Sequence, residues 1–326
     1  MKTITHRYGT KLNWIDVLAE AMGGTIDGNF IKGNNALYSG THFISFLDSR
    51  ISAMLIDVTY KEKALLEYRN DVGHFIGVYF YILNHEVNFI INDESTLIGK
   101  QDYNLSIVDS ELDLDYIVDK GTGTYVVCIF IDKTALKEYM HKIPKLKSLP
   151  KDVFNAEKNT IICMDRMNIE SSILINDFRK RAYDSPLFEF YFRGLVYNLI
   201  GNYLNQLVTK KIIISKVMGE DVKSIIASKA MLLESIDGAF PGVDFLAEQV
   251  FMSTSKYKKI FTKISGLSPG SFFYSNKLKR AKELLETGQY TVSEVSDKLN
   301  YVSISHLAKR FNDMYGISPK EYQNLL

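Results

Sequence analysis

The chain has 326 residues, 46% of them hydrophobic and 24% charged, with a formal net charge of +1 at pH 7. That length accommodates about two domains with cores of their own, and the composition excludes a disordered or fibrous chain. Only Cys128 and Cys163 are cysteines, which argues against a disulfide framework or a cysteine metal site, and no run of 18 apolar residues reads as a membrane span.

The opening MKTITHRYGTKLNW carries no apolar leader, so the expected location is the cytoplasm. AMGGTIDGNFIKGNN follows, rich in Gly and Asn, and predicts turns around a short strand at Ile26–Ile31. It lacks the Lys-Ser/Thr pair or spaced acidic residue that a phosphate-cradling loop needs.

From 41 to 131 the pattern is β. Strands are predicted at THFISFL (41–47), SAMLIDV (52–58), HFIGVYFYIL (74–83), EVNFII (86–91), NLSIV (104–108) and TYVVCIFI (124–131), separated by Asn, Asp and Gly turns. Short strands in succession predict a barrel or sandwich, not alternating βαβ units. Aromatic residues recur here (Tyr79, Phe80, Tyr81, Phe89, Tyr103), and alternate ones point inward, either to fill a core or to line a ligand site.

Beyond Ile131 the chain turns helical. Asp132 caps a predicted helix over 132–143, and a second is predicted over 168–182. Ser185 at N-cap and Pro186 at N1 open a long helix over 187–208. Leu187, Phe190, Tyr191, Leu195, Leu199, Tyr203 and Leu207 fall on one side of it, and Phe188, Phe192, Val196 and Ile200 widen that side. Two readings stand: a core helix, or an interface between two copies of the chain. Residues 209–222 form the boundary before the last segment.

The near-zero net charge hides an asymmetry. Residues 216–326 carry 15 Lys and Arg against 12 Asp and Glu, and Ser253 to Lys282 holds eight basic residues and no acid. A solvated helical face gives such a run, and so does a surface for a polyanion. Within this segment one string is written twice. FTKISGLSP from Phe261 is matched fifty residues later by FNDMYGISP from Phe311. Gly266 and Gly316 end one helix in the left-handed conformation, Ser268 and Ser318 cap the next, and Pro269 and Pro319 occupy its first turn. Glu321 completes a capping box with Ser318, whereas Ser271 stands in that place in the first copy. A shorter helix precedes each copy, in DFLAEQVFMS (244–253) and in TVSEVSDKLNYVS (291–303), where Thr291 and Glu294 form another capping box. Ala247 and Ser296 are the small residues that let the paired helices approach. The segment therefore reads as two helix-turn-helix units. A helix over 269–287 would join them with a length of about 28 Å, against the roughly 34 Å between successive major grooves on one face of DNA.

These residues carry a resemblance. Residues 228–326 resemble the DNA-binding domain of the AraC/XylS family of bacterial transcription regulators, through Ser293-Glu294-Val295-Ser296, Leu299-Asn300-Tyr301, Ser305, Phe311, Gly316, Ser318-Pro319 and Tyr322. Asn300 stands where the family has Gly, and Tyr257 where it has Leu or Phe. The resemblance implies a multidomain α+β chain. A cupin-like β-barrel sensor would occupy 1–165, a helical linker or dimerisation segment 166–215, and an all-α double helix-turn-helix domain 216–326. It implies that Ser255, Lys258 and Lys259 of the first unit and Ser305, His306 and Lys309 of the second face DNA bases. Lys256, Lys263, Lys279, Arg280 and Arg310 are expected at phosphates. The implied partners are double-stranded promoter DNA, RNA polymerase, a small-molecule effector whose contacts are unknown, and a second copy of the chain, with activation as the outcome and no membrane involved.

No catalytic residue, metal site or cofactor is expected. The histidines at 6, 42, 74, 85, 141 and 306 make no H-x-H grouping, His85-Glu86 lacks the second histidine of H-E-x-x-H, and neither G-x-S-x-G nor a Walker loop occurs. The alternatives are a regulator without a small-molecule effector and a metal-binding cupin enzyme fused to a DNA-binding domain.

Overall fold

The computed structural model describes residues 1–70, 73–85, 87–91, 94–99 and 103–324. The chain divides into two compact units, Met1–Lys223 and Ser224–Leu326.

In chain order the first unit runs β1 (Lys2–His6), α1 (Ile15–Met22), β2 (Thr25–Asp27), β3 (Phe30–Asn34), β4 (Tyr38–Asp48), β5 (Ile51–Tyr60), β6 (Ala64–Tyr68), β7 (Phe75–Leu83), β8 (Val87–Ile91), β9 (Glu94–Ile98), β10 (Leu105–Asp109), β11 (Leu114–Val118) and β12 (Gly123–Asp132). It continues with α2 (Lys133–Lys142), α3 (Pro150–Val153), β13 (Ile162–Asp165), α4 (Ile169–Phe178) and α5 (Phe188–Thr209). Helix α6 (Gly219–Glu234) crosses the boundary between the units.

The strands make two open sheets. One has the order β1-β6-β11-β8-β9 and the other β13-β10-β7-β12-β5-β4-β3-β2. This corrects the expected cupin-like barrel: among the described residues the sheets do not close on one another. The pairing of β1 with β6 is parallel, and the other pairings are antiparallel. The wide sheet is buried on both faces, which is why β5, β7 and β12 read as near-continuous apolar runs. Along β7 the pleat sends Tyr79 and Tyr81 to one face and Phe80 to the other, and all three are buried. Phe80 joins Val78, Val127 and Ile129 against the helices, in one core with Ile175 and Phe178 of α4 and Phe192, Val196 and Leu199 of α5. Helices α4 and α5 therefore contribute to the first unit's core.

Two details of that segment differ from the sequence reading. Helix α4 ends at Phe178, not 182, and turns follow; there the Tyr183 hydroxyl donates to Asp57. Helix α5 begins at Phe188, one residue after the expected 187, because Ser185 heads a tight turn before it: Phe188 N–H donates to the Ser185 carbonyl at 2.9 Å and Leu187 N–H to its Oγ at 3.3 Å. The buried stripe of α5 is Phe188, Phe192, Leu195, Val196, Leu199 and Ile200, while Leu187, Phe190 and Tyr191 are exposed. The two candidate stripes overlap, and the side that faces Phe43 of the wide sheet wins, through edge-on ring contacts of 4.9 Å to Phe188 and 5.3 Å to Phe192.

The second unit comprises the rest of α6, then α7 (Val243–Gln249), α8 (Thr254–Ser265), α9 (Pro269–Glu286), α10 (Val292–Lys298), α11 (Ile304–Tyr315) and α12 (Pro319–Asn324). Its corners form as the repeated string dictates. Gly266 and Gly316 close α8 and α11 at φ 69° and 77°. Ser268 accepts from Ser271 N–H at 3.2 Å, and Ser318 and Glu321 exchange two bonds of 2.8 and 3.2 Å. Thr291 and Glu294 form the capping box of α10. Each such cap stabilises its helix by about 1 kcal/mol.

Candidate nucleic-acid interface

Helices α7–α8 and α10–α11 are the two helix-turn-helix units. In each, a small residue of the first helix, Ala247 or Ser296, is buried. The turn closes on it: Met252 N–H donates to the Ala247 carbonyl and Tyr301 N–H to that of Ser296, both at 2.9 Å. These matched residues are 49 apart, whereas Ser253 and Ser303, which cap α8 and α11, are 50 apart. The second turn is therefore one residue longer, and the added residue, Val302, is 92% exposed.

The burial pattern fixes which side of α8 and α11 faces outward. Tyr257, Ile260, Phe261 and Ile264 recur at helical spacing on the buried side of α8, and Leu307 and Phe311 do so on α11. Ser255, Lys256, Lys258 and Lys259 on α8 are exposed, as are Ser305, Lys309 and Arg310 on α11. His306 is half-buried; its ring meets Tyr301 edge-on at 5.8 Å, and its Nδ1 lies out of solvent without a hydrogen-bond partner. Arg310 stacks over Tyr274 of α9 at 6.0 Å. Helix α8 carries no acid, and its exposed lysines, Lys256, Lys258 and Lys259, make its outward side cationic.

The remaining basic residues of the run divide between folding and surface. Lys263, expected at phosphates, is buried. Arg280 pairs with Glu283 at 3.1 Å, and Lys282 lies over Tyr315 and Tyr322. Tyr257 is buried, and its hydroxyl reaches Ser228 of α6 at 2.7 Å. Burial pushes that phenol up to about 12.

One model of known families, described as a helix-turn-helix domain, matches residues 246–325 and so spans both units and the connector between them. Regulators carrying the helix-turn-helix label align over the same share of the chain. An uncharacterised transcriptional regulator of Haemophilus influenzae is 33% identical over 81 residues, covering 25% of this chain and 27% of its own length. The C-terminal unit is an AraC-type helix-turn-helix domain. The regulator AlkR of Acinetobacter baylyi is 31% identical over 81 residues, covering 25% of this chain and 26% of its own length. The chain thus matches about a quarter of the length of each of these relatives. Among solved structures, the DNA-binding domain of AdpA in complex with a target DNA is 27% identical, covers 31% of this chain and 91% of that one, and has a TM-score of 0.30.

Within the AraC-type domain, α9 is one uninterrupted helix of 18 residues, about 27 Å long. Its first half packs on the first helix-turn-helix pair, with Phe272 5.6 Å from Phe261. Its second half supplies Leu278, Ala281, Leu284 and Leu285 to a core with Val295, Leu299, Leu307 and Phe311 of the second pair. Lys277, between the halves, is buried. Its Nζ donates to the Gly238 carbonyl after α6 and stands 5.4 Å from the Tyr301 ring in the second turn. Burial lowers its pKa. Lys277 went unnoticed in the sequence because it read as one more member of a basic run. Its place four residues after Phe273 and four before Ala281, on the apolar stripe, is the signal that separates it from surface lysines.

Proposed function

We propose that the chain is a sequence-specific DNA-binding transcription regulator of the AraC/XylS type. The observation that carries the reading is a pair of helix-turn-helix units on one continuous helix, each turning a capped second helix outward with polar and cationic side chains. Ser255, Lys258 and Lys259 would face the bases of one major-groove segment, and Ser305, His306 and Lys309 those of the next. Lys256 and Arg310 would neutralise phosphates. Selection of bound duplexes from a random pool tests this. The expected result is an enriched site with two subsites about one helical turn, roughly 10 base pairs, apart; a pool without an enriched sequence overturns the reading.

The finer proposals concern control. The first unit would sense a small molecule, and its ligand state would set how the AraC-type domain engages a promoter. Activation through RNA polymerase rests on the family resemblance, and a reporter driven from the selected site reads its sign. Self-association is supported by the apolar side chains left outward on α4 and α5, where Ile169, Ile173, Phe190 and Tyr197 are exposed. Sedimentation of the full chain tests it.

A further inference from the structure

The two sheets of the first unit line a half-open pocket with about 70 Å³ of internal space. At the roughly 10–15 Å³ that one water requires, it has room for about five waters or a single substituted six-membered ring. The wide sheet contributes Tyr79, Tyr81 and Cys128 from the face opposite Phe80, and the narrow sheet contributes His6 and Tyr116. Between them stand aliphatic side chains, Ile56, Leu66 and Val126 among them, together with Tyr8, Tyr60 and Thr124.

Three observations define what fits. First, the side chains lining the cavity include no carboxylate, lysine or arginine. Burial and the Arg69 charge nearby hold His6 down to about 4, so its imidazole is neutral at pH 7. An ion of either sign would enter without a counter-charge, at a large desolvation cost. Second, the surface turned to the pocket is mostly apolar, which leaves five waters few of the two to four polar partners each requires. Third, a buried nitrogen of His6 is left without a hydrogen bond. His6 is 6% exposed; the Ile4 backbone interacts with its ring, yet its Nδ1 makes no hydrogen bond of ordinary geometry. The Tyr81 hydroxyl, by contrast, is engaged with Ser106 at 2.7 Å and Tyr116 at 3.2 Å. A neutral imidazole nitrogen donates or accepts according to its tautomer, and a hydroxyl group satisfies either.

We infer that this cavity is a ligand site for a compact, uncharged ring compound bearing a hydroxyl group, seated between the tyrosine rings with its hydroxyl on His6. The inference deepens the sensor role proposed for the first unit and rests on it.

Phenol is the probe, titrated into the full chain by calorimetry and thermal unfolding beside benzene, benzoate and tetramethylammonium. Phenol is expected to bind and raise the unfolding temperature, benzene to bind more weakly, and the two ions to have no effect. His6→Phe keeps a ring in the wall and removes the nitrogen; it should weaken phenol about tenfold and leave benzene unchanged. Val126→Phe fills the space and should abolish both, with circular dichroism checking that each variant folds. Absence of a phenol effect on the folded wild type overturns the inference, as does binding of an ion in its place or phenol binding that survives Val126→Phe. Operator binding by the same preparation is measured without any probe. Loss of one result with retention of the other separates failure of the ligand site from failure of the DNA-binding reading.

Discussion

Phe251 and Asn300 occupy the same corner of the two helix-turn-helix units, and both are left-handed, at φ 54° and 49°. Each donates its N–H three residues back, to Glu248 or Asp297. Asparagine tolerates this conformation, whereas a phenylalanine pays for its Cβ with about 1–2 kcal/mol. The Phe251 ring recovers nothing by packing, being 99% exposed. Phe251→Gly should therefore stabilise the C-terminal unit by about 1 kcal/mol, and Asn300→Ala should destabilise it by a similar amount. Urea titrations of the isolated transitions check both; a loss of stability in Phe251→Gly contradicts the strain argument.

Lys277 joins three elements of the C-terminal unit: the loop after α6, the connector α9 and the turn of the second helix-turn-helix pair. Lys277→Met keeps the aliphatic stem and removes the charge, and it leaves the Gly238 carbonyl unpaired. A loss of about 1–2 kcal/mol of stability is expected. Operator affinity should fall while the dependence of log K on log salt keeps its slope, because no phosphate contact is lost. A shallower slope would place Lys277 on DNA instead.

The C-terminal unit was legible because its information is local. Gly266, Ser268, Pro269 and their partners fifty residues on specify corners by their own backbone preferences, and the corners formed. The first unit was legible only as strands. β5, β7 and β12 are buried on both faces, so their apolar runs carry no alternation to say which face meets a helix and which a cavity. The short strands β1, β6, β11 and β13 gain stability from pairing with distant segments and lack a pattern of their own. Neither the open ends of the sheets nor the unpaired His6 nitrogen could be inferred before those pairings were known. In the candidate interface, Lys256, Lys258 and Lys259 could be placed outward from helical spacing alone. Burial of Lys263 could not, since the same spacing serves a core-edge lysine that buries its stem.

Replacing the two most central of those lysines tests the interface directly. Lys258→Ala with Lys259→Ala removes cations from the exposed side of α8 without touching its buried side. Specific operator binding should weaken by about 1–3 kcal/mol, measured at fixed salt, with no change in unfolding midpoint. If the lysines read bases, the loss depends on the operator sequence at one subsite; if they neutralise phosphates, it is uniform and the salt slope falls by about one per contact. Equal affinity of variant and wild type for the selected operator would remove α8 from the interface.

Acid stability should report the two buried histidines of the first unit. Burial holds His6 and His42 at about 4, below the ordinary 6.5, with the Arg69 charge adding to the effect on His6 and a charge on His6 to that on His42. In the unfolded chain both take up a proton near pH 6.5. Between about 6.5 and 4 the unfolded state therefore binds more protons, and folding stability falls as the pH is lowered through that window. It is fully present above 6.5. Each histidine accounts for a loss on the order of 2–3 kcal/mol, the two effects being coupled. Urea midpoints at pH 7.5, 6 and 5 should fall steadily for the wild type, and His6→Phe with His42→Gln should flatten the decline. A double variant whose midpoint still falls as steeply assigns the acid sensitivity to carboxylates instead.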